Sequence, residues 1–451
     1  MTIPFRYQLE DVRKLHKLGG RCLIANPPGT GKSFEALFYA LRHPEQRPIV
    51  IVCPASVKWN WQHEVTIHTG MRAEVLETRT PRQGRILKAP QVAIINYDIL
   101  HSWLKYLRRL KPQLIVLDEC HFLQSRASRR SRVTRLLCEK VPYILALSGT
   151  PLVNRPAELW TTLNILRPDL FPRWLDFARK HCSPTWKPWG WEYKGATALD
   201  VLHRQLSKYL MVRRTKQEAL PGLPSKRRIV VPLDIRDRKQ YNHAVKDFLG
   251  WMAKHHGSKL SRAAKAEKLV RLGYLKRLAG RLKVKSVMEW VDDFLIEAEG
   301  KLILFAIHKR IIRLLRERYQ RQSVVVTGDV IGRKRQQAFD AFQKDKRIRL
   351  FIGNLDAAGV GWNGTAAEAV AFAELGWSPG KHTQGEDRAH RLGQKRNTVA
   401  YYLVARDTIE ADLCELLQRK QQNLDKVLDG SVVEDSLDIF DRLTEKLQEK
   451  T

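Results

Sequence analysis

The stretch RCLIANPPGTGKS (Arg21–Ser33) limits the possible folds more than any other part of the chain. A short, β-rich apolar run, RCLIA, passes through a glycine loop directly into a helical pattern, SFEALFYAL. Strand, glycine loop and helix in that order form a phosphate-binding loop. Gly29 and Gly31 free the backbone around Thr30 to wrap phosphate oxygens with N–H groups, and the helix N-terminus adds partial positive charge for the same anion. Lys32 would reach the β- and γ-phosphates of ATP, and the Ser33 hydroxyl would ligate Mg²⁺. Asn26 or Pro27 stands where the usual first glycine of such a loop would be.

Such a loop needs a parallel sheet behind it, and the sequence provides one. PIVIVCP, QVAIINY, LIVLDE and YILALSG are short apolar runs separated by helical patterns, an alternation expected of a parallel sheet covered by helices. From Pro151 to about Leu220 the pattern reads as helical and irregular, and LPGLPSKRR then marks a boundary at Pro221, Gly222 and Pro224. Strand and helix alternation resumes at KLILFAI, SVVVTG, IRLFIG, AVAFAEL and TVAYYLV. The expected fold class is therefore α/β, with two open parallel sheets that each carry a helical insertion. The expected domains are residues 1–225 with a protrusion over about 152–210, residues 226–430 with a basic helical protrusion over about 235–290, and an acidic helical tail over 431–451.

LIVLDECH adds a second part of a nucleotide site. A buried strand carries Asp118 and Glu119 to its C-terminal edge, where Asp118 would hold Mg²⁺ and Glu119 would activate the attacking water. Near the start, Gln8 offers a donor and an acceptor to an adenine edge, with Phe5 and Arg6 beside it. Far down the chain, QGEDRAHRLGQ places Gln384, Arg388 and Arg391 at helical spacing. Arg388 and Arg391, three apart, would share a helix face and stabilise charge on a transferring phosphoryl group. If they come from the second sheet, hydrolysis requires the two sheets to close, which describes a motor.

Charge names the partner. The chain carries 80 Lys and Arg against 47 Asp and Glu, a formal +33. A balance this basic calls for a polyanion, either nucleic acid or an anionic membrane surface. No apolar run reaches the ~18–20 residues of a membrane span, and MTIPFRYQLEDVRKL lacks the apolar core of a signal peptide, so nucleic acid is preferred. The run from Lys254 to Lys285 contains eleven basic residues and only Glu267 as an acid, and is expected to present a one-signed face that includes Lys265, Lys268 and Arg271. The six scattered cysteines form no C-x-x-C pair, which points to buried thiols in a reducing compartment, the cytoplasm.

Together these segments resemble the two-lobed helicase superfamily, and within it the Swi/Snf DNA translocases. MVRRTKQEALPGLPSKRR looks like that family's linker between lobes, and ALSGTPLVNRPAELW like its motif III followed by the first protrusion. PWGWEYKGA, with its Trp189/Trp191 pair, and VAFAELGWSPGKHTQGEDRAHRLGQ are similar to the annealing-helicase, HepA-related branch. The resemblance implies two RecA-like lobes and ATP-dependent translocation on double-stranded or branched DNA without sustained unwinding. It further implies remodelling or reannealing of that DNA, or displacement of bound proteins, by a monomer. DNA contacts carried over by the resemblance fall on Ser56, Lys58, Asn96, Ser148, Thr150, His308, Lys309, Gly359 and Gly361, hydroxyls, amides and lysines that suit phosphate tracking. Two departures stand out. The family's D-E-M-G-L-G-K-T loop is here Asn26-Pro27-Pro28-Gly29-Thr30-Gly31-Lys32-Ser33, and its Gly-Leu-Asn motif is Gly361-Trp362-Asn363. A strand-separating helicase and an ATP-gated nucleic-acid clamp with low turnover are the competing expectations.

Overall fold

The computed structural model describes residues 3–79, 81, 90–149, 151, 155–187, 190–193, 195–254, 262–330, 332–358, 362–428 and 439–449. The chain divides into two compact units, Met1–Gly222 and Leu223–Gln422, with Leu437–Thr451 joining the second.

The first unit is built on β1 (Arg21–Ile24), β2 (Ile49–Cys53), β3 (Ala73–Val75), β4 (Val92–Asn96), β5 (Leu114–Asp118), β6 (Tyr143–Leu147) and β9 (Met211–Val212); β7 (Thr185–Lys187) and β8 (Gly190–Glu192) form a separate antiparallel hairpin. The sheet order is β3-β4-β2-β5-β6-β1-β9, and the pairings are parallel. β2 and β4 are buried along their whole length, so runs such as IVIVC carry no polar face; a parallel sheet covered on both sides demands this.

The register aligns the chemistry. Ile24 pairs with Leu147, and Leu147 with Asp118, so β1, β6 and β5 end level with one another. The loops leaving these three strand ends carry the glycine loop, Ser148 and the Asp118-Glu119 pair. In open parallel sheets ligands bind outside the carboxyl ends of the strands.

The second unit holds β10 (Lys226–Leu233), β11 (Lys301–Ala306), β12 (Ser323–Val326), β13 (Leu350–Asn354), β14 (Ala367–Phe372) and β15 (Thr398–Ala405) in the order β10-β15-β14-β11-β13-β12, again parallel. Its strands alternate between two cores. Ile303 and Phe305 join Val370, Phe372 and Trp362 on one face, while Leu302 and Leu304 join Ala369, Ala371 and Ile352 on the other. The period of two along each strand puts successive side chains on opposite faces.

The first insertion departs from expectation. The segment read as helical and irregular after Pro151 contains helices Trp160–Leu166, Trp174–His181 and Leu199–Tyr209, but also the β7–β8 hairpin. In the second unit, helices Arg238–Lys254 and Arg262–Glu297 occupy the basic region. The tail forms helix Ile439–Glu449, whose Leu443 and Leu447 are buried in the second unit's core. All six cysteines are buried and free. No helix among the described residues is long and apolar enough to cross a membrane.

Candidate functional site

The glycine loop takes the shape its sequence requires. Gly29 and Gly31 have φ of +82° and +86°, in the left-handed region that favours glycine. Gly31 meets Gln8 so closely that a Cβ would lie 2.7 Å from the Gln8 amide nitrogen. Helix Lys32–Arg42 begins at once, with Ser33 in its first turn. Lys32 folds back over the loop with Nζ 3.1 Å from the Pro27 carbonyl, which also accepts from Thr30 Oγ1 at 2.9 Å. Gln8 is buried against the same loop, its Nε2 3.4 Å from the Thr30 carbonyl and its Oε1 accepting the Phe5 N–H at 3.0 Å. A Cβ on Gly149 would strike the Pro28 ring at 2.6 Å, so the glycine after β6 lets the phosphate loop seat against it.

At the end of β5, Asp118 accepts a hydrogen bond from the indole of Trp61 at 2.7 Å and one from the Glu119 N–H at 2.9 Å. Burial, and next the charge of Glu119, push the Asp118 carboxyl up to about 7. Glu119 sits at φ +47°, a strained conformation for a residue with a side chain. It lies 3.2 Å from His121 Nδ1, which is also 3.2 Å from the Ser148 hydroxyl. A buried carboxylate held by two donors and crowded by a second acid suits a divalent cation, which restores its charged form. The Ser33 hydroxyl and the Asp118 carboxylate are oxygen donors of the kind Mg²⁺ takes.

Behind the loop lies a buried polar network with no counterpart in the expectations. Asn26 donates to Asp11 at 2.9 Å and to Glu35 at 3.1 Å, and accepts the Arg214 N–H at 2.9 Å. The Arg214 guanidinium bonds Asp11 at 2.7 Å and Glu10 at 2.9 Å, and Arg213 donates to the Ala25 carbonyl at 3.0 Å. Burial, and next Asp11, push the Glu35 carboxyl up to about 8. Asn26, which replaces the acid the resemblance would place there, spares the cluster a fourth carboxylate. Arg213 and Arg214 reach it because β9, just before them, pairs with β1.

In the second unit, helix Pro379–Glu386 carries Gln384 and ends before the arginines. Arg388 and Arg391 thus stand on turns, not on the shared helix face that their spacing suggested. They still converge: Arg388 Nη1 and Arg391 Nη1 donate to the Trp362 carbonyl at 3.0 and 2.9 Å, and Arg388 Nε donates to the Gln384 carbonyl at 3.1 Å. The neighbouring Glu386 is fully buried and takes Lys226 at 2.7 Å, Arg228 at 2.7 Å and the Tyr402 hydroxyl at 2.8 Å. These cations hold its carboxyl far below the usual carboxylate range, against the opposing pull of burial.

The expected DNA contacts divide. Ser56 and Lys309 are exposed, the latter paired with Asp329 at 2.9 Å. Lys58 is buried with Nζ 3.0 Å from the Leu76 carbonyl; Asn96 and Ser148 are buried as well, so in this conformation none of the three offers a surface contact. His308 is partly buried against Glu374, which also accepts the backbone N–H groups of Ile307 and His308 at 2.8 Å. Thr150, Gly359, Gly361 and the side chain of Lys265 lie outside the described residues.

The one-signed face is also revised. Lys276 and Lys283 turn inward, Lys276 to the Leu375 carbonyl at 2.5 Å and Lys283 to Glu410 at 2.5 Å. Lys268 is half-buried, and Arg271 bonds Glu267 at 2.8 Å and covers the Trp251 ring. The outward basic stripe is Arg277, Arg281 and Lys285, four residues apart on one helix face.

Residues 7–282 match the SNF2-related domain, and residues 283–393 match the helicase conserved C-terminal domain. The chain belongs to the SNF2-related family, a class of helicase-like ATPases. Among its relatives, the SWI/SNF-related matrix-associated actin-dependent regulator of chromatin subfamily A-like protein 1 of Xenopus tropicalis is 32% identical over 426 residues, covering 92% of this chain and 44% of that protein. The human DNA annealing helicase and endonuclease ZRANB3 is 29% identical over 446 residues, covering 95% of this chain and 40% of that protein. The chain thus spans less than half the length of these two relatives. Among solved structures, the Sulfolobus solfataricus SWI2/SNF2 ATPase core in complex with dsDNA aligns over 99% of this chain and 97% of that one, at 23% identity and a TM-score of 0.46.

Proposed function

We propose that this chain is an ATP-driven translocase on double-stranded DNA that remodels or reanneals branched DNA, or displaces bound proteins, without sustained unwinding. The observation that carries this reading is the pairing of a phosphate loop and Asp118-Glu119 in one unit with two arginines trained on a single carbonyl in the other. Both stand in a chain akin to a protein named as a DNA annealing helicase.

The proposed roles are these. Backbone N–H groups from Gly29 to Lys32 and the Lys32 ammonium bind the phosphates of ATP, and Gln8, packed against the loop, would read the base on release from Thr30. Ser33 and Asp118 would hold Mg²⁺, which supplies charge neutralisation on the phosphate oxygens. Glu119, held beside His121, accepts a proton from the attacking water. Arg388 and Arg391 supply planar guanidiniums to the phosphoryl charge that grows in the transition state. The exposed stripe Arg277, Arg281 and Lys285 grips phosphates without reading sequence.

ATP turnover measured at fixed salt with no cofactor, single-stranded DNA, duplex DNA, forked DNA or RNA tests the proposal. Stimulation by duplex or forked DNA supports it. Stimulation mainly by single strands or RNA overturns it in favour of a strand-separating helicase, and negligible turnover with every cofactor favours a clamp.

A further inference from the structure

The β7–β8 hairpin belongs to neither sheet, and the nucleotide chemistry makes no use of it. Its root is fixed. The Gly195 N–H donates to the Cys182 carbonyl at 3.1 Å, and Tyr193 packs edge-on against Trp174 with ring centroids 5.7 Å apart. Trp174 in turn meets Trp160 of the first unit's core at 5.8 Å. Beyond this root, Trp186 and Trp191 are cross-strand partners and so share one face of the ribbon. They meet edge to face at 5.3 Å and remain 62% and 56% exposed. Trp189, the expected partner of Trp191, lies outside the described residues.

Single exposed apolar residues are ordinary, but two adjacent indoles on a projecting ribbon form a patch that asks for an occupant. A cross-strand aromatic pair stabilises a hairpin, yet an edge-to-face contact still leaves an indole face open. The surroundings select the ligand. Residues 173–210 hold seven Lys and Arg (Arg173, Arg179, Lys180, Lys187, Lys194, Arg204, Lys208) against three acids. Two of those acids are already paired, Asp176 with Arg173 at 3.6 Å and Asp200 with Arg204 at 2.8 Å. Exposed aromatic faces in a segment of net positive charge are what a single strand of nucleic acid needs, bases on the rings and phosphates on the charges. A protein partner generally requires about 800 Å² of its host's surface, far more than two indoles provide. Paired bases inside a duplex are already stacked and offer no face.

We propose that Trp186 and Trp191 form a stacking site for unpaired nucleobases at the junction where a duplex opens into single strands. This rests on the reading of the chain as a DNA motor and adds a junction sensor to it.

The test compares the full chain with the Trp186→Ala, Trp191→Ala double variant. Affinity is measured by fluorescence anisotropy on a blunt duplex and on the same duplex bearing two unpaired arms. The variant is expected to lose roughly tenfold or more on the armed substrate, while keeping blunt-duplex affinity and duplex-stimulated turnover. Phe at both positions should restore most of the loss. In the unaltered protein, 5-iodouracil at the first unpaired position should crosslink within residues 185–192. Equal loss on both substrates, no loss on the armed one, or a crosslink only elsewhere overturns the proposal. A wild-type protein unstimulated by duplex would instead fail the motor reading itself.

Discussion

The two units share one architecture but treat buried charge in opposite ways. In the first, the carboxylates nearest the phosphate loop are crowded by each other: Asp118 by Glu119, and Glu35 by Asp11, with burial and those neighbours raising Asp118 to about 7 and Glu35 to about 8. In the second, Glu386 is saturated by Lys226, Arg228 and Tyr402, and Lys283 by Glu410. The first unit therefore holds electrostatic tension, which under the proposed function a bound metal–nucleotide complex would relieve at Asp118. In the second, the ion pairs of Glu386 hold the turn that carries Arg388 and Arg391, and Lys283 with Glu410 ties the long helix to β15. Similar folds thus hold buried acids in opposite states, crowded in one unit and neutralised in the other.

Glu119→Gln should separate these roles most sharply. Turnover is expected to fall about a thousandfold, while binding of a fluorescent ATP analogue and the denaturation midpoint stay unchanged. Retained turnover would remove Glu119 from its role. Next in size, Glu386→Gln strands Lys226 and Arg228 beside a neutral amide and should cost about 3 kcal/mol of stability, as breaking a buried pair does. Urea titration followed by circular dichroism measures this, and an unchanged midpoint would break the contrast between the units. The smallest effect concerns pH. The Glu35 carboxyl is raised in the folded state, so the stability it permits is fully present below about 4.5, falls as pH rises from there, and is lost by about 8. Glu35→Gln should flatten that decline when denaturation midpoints at pH 6 and pH 9 are compared.

Much of this was legible in the sequence, and the illegible parts have physical causes. The ten apolar runs correspond to strands of the two sheets because β-rich segments buried on both faces leave no polar alternation to confuse them. β3 and β9 are too short to leave a pattern. β10 begins with Lys226, Arg227 and Arg228, whose charges read as a linker although they open an edge strand. The hairpin was hidden because its strands are three residues long and one pair of indoles supplies much of its apolar surface. The glycine loop, and Asp118 and Glu119 at the end of β5, are local features that a strand, a turn and a helix fix over short distances, whereas Gln8 meets Thr30 across 22 residues. Trp61 at Asp118 and Arg214 at Asn26 depend on partners 57 and 188 residues away, and no local pattern encodes those meetings. Lys276 and Lys283 show the same limit from the other side: composition counts charges but not the helix face each one occupies.

One feature of the first sheet has a consequence for how the molecule is made. β1, which carries the phosphate loop, is flanked by β6 and β9, both far downstream in sequence. A chain emerging from the ribosome synthesises its phosphate loop early, yet the strand behind it has no neighbour until more than a hundred further residues have appeared. β2, β4 and β5 can pair while β1 waits, since loop closure over short separations comes first. The nascent chain therefore gains the ability to hold ATP late, and ligand protection of a stalled, partly translated chain would appear abruptly, only once Arg214 has left the exit tunnel.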